Sequence, residues 1–157
     1  MLELIGSRRK KGEKGQALVE FALLVPIFLI LMFAIMDFGM GFYSWITVTN
    51  SAREGARLGA VHPPLDVPAS PCFGKVSLEE CIEDRVRETA GLPYEDTNLD
   101  VDVNCGDPPG PCPAQSGESV VVKVDYRYEL MTPLASLIGN LIGSTLNLSS
   151  TADMRLE

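Results

Sequence analysis

One histidine, His62, occurs in the 157 residues, and that scarcity excludes much chemistry. A catalytic base beside a serine or cysteine nucleophile, or a His-rich zinc centre, needs imidazole that the chain scarcely has. The sequence also lacks a C-x-x-C pair, a G-x-S-x-G elbow and a glycine-rich phosphate loop, so no metal, nucleotide or other cofactor is expected. Carboxylates are plentiful, but no spacing singles out an acid–base pair. The chain reads as a protein without catalysis of its own. Positive charge is scarce in most of it: from Phe38 onward eight basic side chains face seventeen acidic ones, 8 − 17 = −9. Phosphate binding needs a basic footprint, so nucleic acid is not an expected partner.

Charge of either sign is absent from Phe21 to Met36, FALLVPIFLILMFAIM. Sixteen helical residues rise about 24 Å, slightly short of a ~30 Å hydrocarbon core. Ala17–Val19 before the run and Phe38–Ile46 after it supply the remainder, with Tyr43 and Trp45 placed for an interface. Eleven of the sixteen are Leu, Ile, Val or Phe. At about −0.3 to −0.6 kcal/mol each they give roughly −3 to −7 kcal/mol for insertion, which Pro26 and one edge carboxylate do not overturn. Before the run, Arg8, Arg9, Lys10, Lys11 and Lys14 oppose Glu3 and Glu13, 5 − 2 = +3. Basic residues stay cytoplasmic, so the N-terminus is expected inside and the acidic body outside. A cleaved secretory signal shares the basic start and apolar run. No small-x-small site follows, however, where the text reads MDFGMGFYSW, and Glu20 lies where a signal is apolar.

Between Pro26 and Pro63 there is no proline. A helix is expected from about 16 to 60, spanning the membrane over about 17–42 and continuing beyond it. Phe42, Ile46, Thr49, Ala52, Ala56 and Ala60 recur at three- and four-residue steps, one face of a helix. Gly39, Gly41, Gly55 and Gly59 either weaken this helix, at up to about 1 kcal/mol each, or let a neighbour approach closely. The spacing leaves both readings open.

Residues 61–157 read as an outer α+β domain. His62–Phe73 is a proline-rich loop. Ser77 with Glu80 is a capping-box pattern, Leu78, Ile82, Val86 and Ala90 form an i+4 stripe, and Gly91 with Pro93 closes that helix. Period-two alternation over 99–103, 120–130 and 146–156 predicts an antiparallel sheet of three to four strands with one covered face. PLASLIGNLIG, between the last two strands, offers a short helix or turn. The outer half of the long helix and the helix at 77–91 are the expected cover. Cys72, Cys81, Cys105 and Cys112 all follow the anchor, where thiols oxidise. Local pairing, Cys72–Cys81 and Cys105–Cys112, is expected because each pair brackets one Pro- or Gly-containing loop; a zinc site is the rival reading. The loop CGDPPGPC reads either as a stapled turn or as an exposed recognition tip.

The segment Gly15-Gln16-Ala17-Leu18-Val19-Glu20-Phe21 carries the sharpest signal. Glu20 at the start of an apolar helix can simply reach back to the headgroups. An ionisable group inside a spanning segment is also a functional candidate, because burying it unpaired costs about 2.5–3.5 kcal/mol or more. The spacing is specific: lysines, a glycine, four residues, then glutamate, an aromatic and the apolar run. With GQALVEFALLVP at 15–26, SAREGAR at 51–57 and a looser match at Met154–Glu157, the sequence resembles the TadE-like pseudopilins, pilin-like components of the bacterial tight-adherence (Flp) pilus.

The resemblance implies a type IV pilin-like fold and a basic leader, 1–15, removed by a prepilin peptidase between Gly15 and Gln16. Glu20 would then be the fifth residue of the mature chain, its carboxylate available to the freed Gln16 amine of a neighbouring subunit. Such a pair in low dielectric would fix axial register. Phe21 and Pro26 belong to the same assembly segment, Pro26 by removing one helix hydrogen bond or as a tolerated kink. Arg53, Glu54, Gly55 and Arg57 form the second motif. Arg53 and Arg57 share a helix face, and read alone they are a solvated stripe partly neutralised by Glu54; the resemblance implies contact with the sheet or another subunit. Implied partners are the membrane, the peptidase, other pilin-like subunits and the assembly platform. The implied location is the bacterial inner membrane as a single-pass protein, with entry into a surface pilus as an extension of that role. The alternative is a signal-anchored protein whose outer domain binds a ligand or surface.

Overall fold

The computed structural model describes residues 11–92, 98–106, 109–110, 112, 117–132 and 145–156. The order is α1 (Lys11–Val61), α2 (Leu78–Ala90), β1 (Leu99–Cys105), β2 (Ser119–Glu129) and β3 (Thr145–Arg155). The long apolar helix, the short helix and a three-stranded antiparallel sheet of order β1-β2-β3 make an α+β, pilin-like architecture. Most of the expected leader and the PLASLIGNLIG stretch lie outside the described residues.

Helix α1 is continuous for 51 residues and passes through Pro26 without interruption. Its backbone is already helical four residues before Gly15, because nothing in KGEKGQ stops it. It ends where His62 takes a left-handed backbone, φ 47°, its N–H donating to the Gly59 carbonyl at 3.2 Å. Pro63 and Pro64 then forbid continuation.

The inner part of α1, from Gly15, holds an eighteen-residue window of mean hydropathy 2.8, none of it buried. The outer part lies on the sheet, but not by the face that periodicity suggested. Phe42 and Ile46 are 49% and 46% exposed, and Thr49 and Ala60 are only half-buried. The buried stripe is Gly41, Ser44, Val48, Ser51, Ala52, Gly55, Ala56 and Gly59. Of the periodic face only Ala52 and Ala56 belong to it. Size decided the matter: small side chains bring the backbone close to the sheet, and the bulky ones are left outside.

Gly55 and Gly59 show the close approach directly. A Cβ on Gly55 would lie 2.5 Å from Val86 Cγ2, and one on Gly59 would lie 2.8 Å from Val120 Cγ1 and 2.9 Å from Ile82 Cδ1. Gly39, by contrast, has nothing within 4 Å. The close-approach reading therefore holds at Gly55 and Gly59 and not at Gly39.

Helix α2 is capped as its sequence requires. The Ser77 hydroxyl accepts from the Glu80 N–H at 3.2 Å, and Glu80 Oε2 accepts from the Val76 N–H at 2.9 Å. Gly91, φ 50°, closes it in the left-handed conformation. Leu78, Ile82, Val86 and Ala90 are all buried. Strand β2 is central, with Val101 opposite Val124 on one side and Val122 opposite Ala152 on the other. Its inward residues, Val120, Val122, Val124, Tyr126 and Tyr128, are buried under the helices.

The disulfides tie loops to this core. Cys72 is joined to Cys81, anchoring the proline-rich loop on α2, and Cys105 to Cys112. Cys105 and Gly110 exchange two backbone hydrogen bonds, 2.9 and 2.8 Å. The Cys112 N–H donates to Glu79 of α2 at 2.9 Å, so the described ends of this loop are held against the domain.

Candidate assembly site

The residues picked out for processing and assembly all lie on the inner part of α1, away from the folded domain. Gly15, Gln16, Glu20, Phe21 and Pro26 are exposed, and a Cβ on Gly15 would meet nothing within 4 Å. Gln16 and Glu20 are four residues apart, so they share one side of the helix. Phe21 is 65% exposed, and Leu18, Leu23, Ile27 and Phe28 are exposed to a similar extent. This half of the chain offers an open glycine, one carboxylate and an unbroken apolar surface. Its chemical capacity is to bury itself in lipid or against other apolar helices, with Glu20 the one fixed charge along it between Gly15 and Met36.

The second motif lies about 50 Å further along α1, at 1.5 Å per residue. Arg53 and Arg57 are exposed, and Gly55 is pressed under Val86 and Ile82. Glu54 reaches Arg57 at 3.8 Å, as expected, but its shorter contact is to Arg85 of α2, at 3.2 Å. Arg85 also meets Glu88 at 3.2 Å. Hydrogen bonding to Glu54, then to Glu88, raises the Arg85 pKa above its ordinary value. The motif therefore joins the two helices, with Gly55 setting their separation and Glu54 the polar tie. The two arginines remain available at the surface.

Sequence reasoning passed over Asp37, Ser44, Ser51 and Arg85. Asp37 is 6% exposed although it ends the apolar run. Its carboxylate accepts from the Thr132 hydroxyl, and its carbonyl lies 3.4 Å from the Tyr128 hydroxyl. Ser51 returns its hydroxyl to the Val48 carbonyl at 2.9 Å and Ser44 to Met40 at 3.0 Å, so both polar groups are satisfied within the helix and the buried face stays thin. A charge beside the membrane segment was the available signal for Asp37. Arg85 had none, since its partner is 31 residues away in sequence. Burial raises the Tyr126 and Tyr128 pKa values, helped by the nearby Glu129 and Asp37 carboxylates respectively.

Residues 15–57 match the sequence model of the family described as TadE-like protein. The match runs from the open glycine to the last arginine of the second motif. No curated protein and no solved structure matches the chain.

Proposed function

We propose that this chain, TadE-like over residues 15–57, is a pilin-like component associated with the tight-adherence pilus or a related secretion machinery, anchored in the bacterial inner membrane by α1. Cleavage by a prepilin peptidase between Gly15 and Gln16 frees the Gln16 amine and removes the five lysines and arginines of residues 1–15. Glu20 then engages the amine of a neighbouring pilin-like subunit in low dielectric, where an unpaired charge is costly and a paired one sets register. Phe21, Pro26 and the apolar face around them form the packing surface. The outer domain, with Arg53 and Arg57 on its helix, faces other subunits and the assembly platform from the extracytoplasmic side.

The observation that carries this reading is the family match, because it begins at the glycine required for processing and includes Glu20. Deleting the chain in its native cell and restoring variants tests it. Loss of pili on deletion, recovery with the native chain, and failure of a Glu20→Ala chain that is still cleaved are the expected results. Full piliation with Glu20→Ala would sink the assembly role of Glu20 and favour a signal-anchored protein with a binding domain.

A further inference from the structure

Among the described residues, the membrane-side end of the sheet leaves a groove against α1. Between Phe38, Gly41 and Trp45 on the helix and Leu130, just past β2, with Leu146 and Leu148 of β3, runs a groove of about 440 Å³, within the range of small-ligand sites. Gly41 lines it, and a Cβ there would make ordinary contact with Tyr128 ring carbons, at 3.6 and 3.7 Å, so a larger side chain has room to begin. Among the described residues that line the groove Asp37 is the one charge, and the Thr132 hydroxyl already occupies its carboxylate.

The position of this groove along the helix points to its occupant. Asp37 is the first charge after Glu20. The expected span, about 17–42, ends among the helix residues that wall the groove. The helix wall of the groove is thus the direct continuation of the lipid-facing surface. Phe38, 74% exposed, stacks on Phe42 at 6.0 Å, and Phe42 meets Trp45 edge-on at 5.5 Å, an aromatic cluster suited to the interface. An acyl chain at this depth is already beside the opening and covers apolar walls that the described residues leave open.

We propose that the groove takes an acyl chain of an outer-leaflet phospholipid and so seats the folded domain on the membrane surface. This rests on the membrane-anchored reading of α1. The lipid held there leaves when α1 is drawn out of the bilayer.

Trp45 is the chain's one tryptophan and lines the groove, so its fluorescence reports the occupant. The full chain is reconstituted in phosphatidylethanolamine–phosphatidylglycerol vesicles containing phosphatidylcholine brominated on its acyl chains near the headgroup. Gly41→Leu fills the groove with a residue that favours helix, and Gly41→Ala fills it less. A second reporter, Trp45→Phe with Ile46→Trp, stands at the same height outside the groove. The proposal expects Gly41→Leu to lower bromine quenching of Trp45 roughly twofold, because the leucine takes the volume of the acyl chain. Gly41→Ala should lie between, and the reporter at 46 should be unaffected. Trp45 quenching that is absent, or that is unchanged by Gly41→Leu while the reporter at 46 is quenched, overturns the groove proposal and leaves the anchor intact. Failure of the full chain to float with the vesicles overturns the anchored reading itself.

Discussion

Gly55 and Gly59 are the residues on which the outer half of α1 depends, because their missing side chains set the distance between helix and sheet. Gly59→Ala places a Cβ within 3 Å of both Val120 and Ile82. Helix propensity favours the alanine by about 1 kcal/mol, but overpacking costs about 1–3 kcal/mol. The clash wins. Thermal unfolding in mild detergent is expected to show a lower midpoint for Gly59→Ala and an unchanged or higher one for Gly39→Ala, whose Cβ meets nothing. A second residue-scale effect lies on the solvent face of β2. Lys123 bonds Asp125 at 2.7 Å; that bond, with one from Ser149, holds the Asp125 pKa below its ordinary 3.8. A depressed carboxyl contributes stability that is present above the unfolded value and lost as pH falls through the folded one. Asp125→Asn is therefore expected to flatten the part of the acid unfolding profile below about pH 4, as read by circular dichroism. The effect is small, because the pair is about half exposed.

At the scale of elements, α2 is a cap-dependent helix of 13 residues, near the length at which isolated helices are marginal. Ser77→Ala removes the acceptor for the Glu80 N–H and is expected to cost about 0.5–2 kcal/mol. Serine-to-glycine at the same position should cost only a few tenths, a contrast that denaturant titration of both variants resolves. The extent of the elements was legible in the sequence, for reasons visible at particular residues. The three strands were read to within about two residues because polar Asp100, Lys123 and Asp153 alternate strictly with a buried neighbour. The cap at Ser77 and the stop at Gly91 were equally local signals. The packing face of α1 was not legible. Periodicity rewards large apolar residues such as Phe42 and Ile46, whereas close packing selected Gly55, Ala56 and Gly59. Near the membrane the helix is apolar on every side, so its pattern has no face to announce. Contacts such as Glu54–Arg85 and Asp37–Thr132 join positions far apart in the chain and left no periodic trace.

At the scale of the whole molecule, a small sheet carries a domain whose core is shared with a helix whose inner part leaves its apolar surface exposed. The disulfides supplement that core. Each closes a short loop, with sequence separations of 9 and 7, and constrains the unfolded chain by roughly 2.5 kcal/mol in the chain-entropy model. Reduction is expected to lower the unfolding midpoint of the outer domain while leaving the chain membrane-bound, because α1 contains no cysteine. Flotation with and without reductant checks this. The residues proposed for processing and assembly, Gly15, Gln16 and Glu20, lie close together in sequence on an exposed helix, so that proposal could be drawn without a tertiary partner.

The central claim is that the anchored form precedes a cleaved, assembly-ready one. Intact mass spectrometry of the protein taken from its native membrane tests it most directly. The account predicts a chain beginning at Gln16, with the Cys72–Cys81 and Cys105–Cys112 bonds intact, and an uncleaved chain when Gly15 is replaced by leucine. A mature protein that still begins at Met1 in cells with an active prepilin peptidase would contradict it.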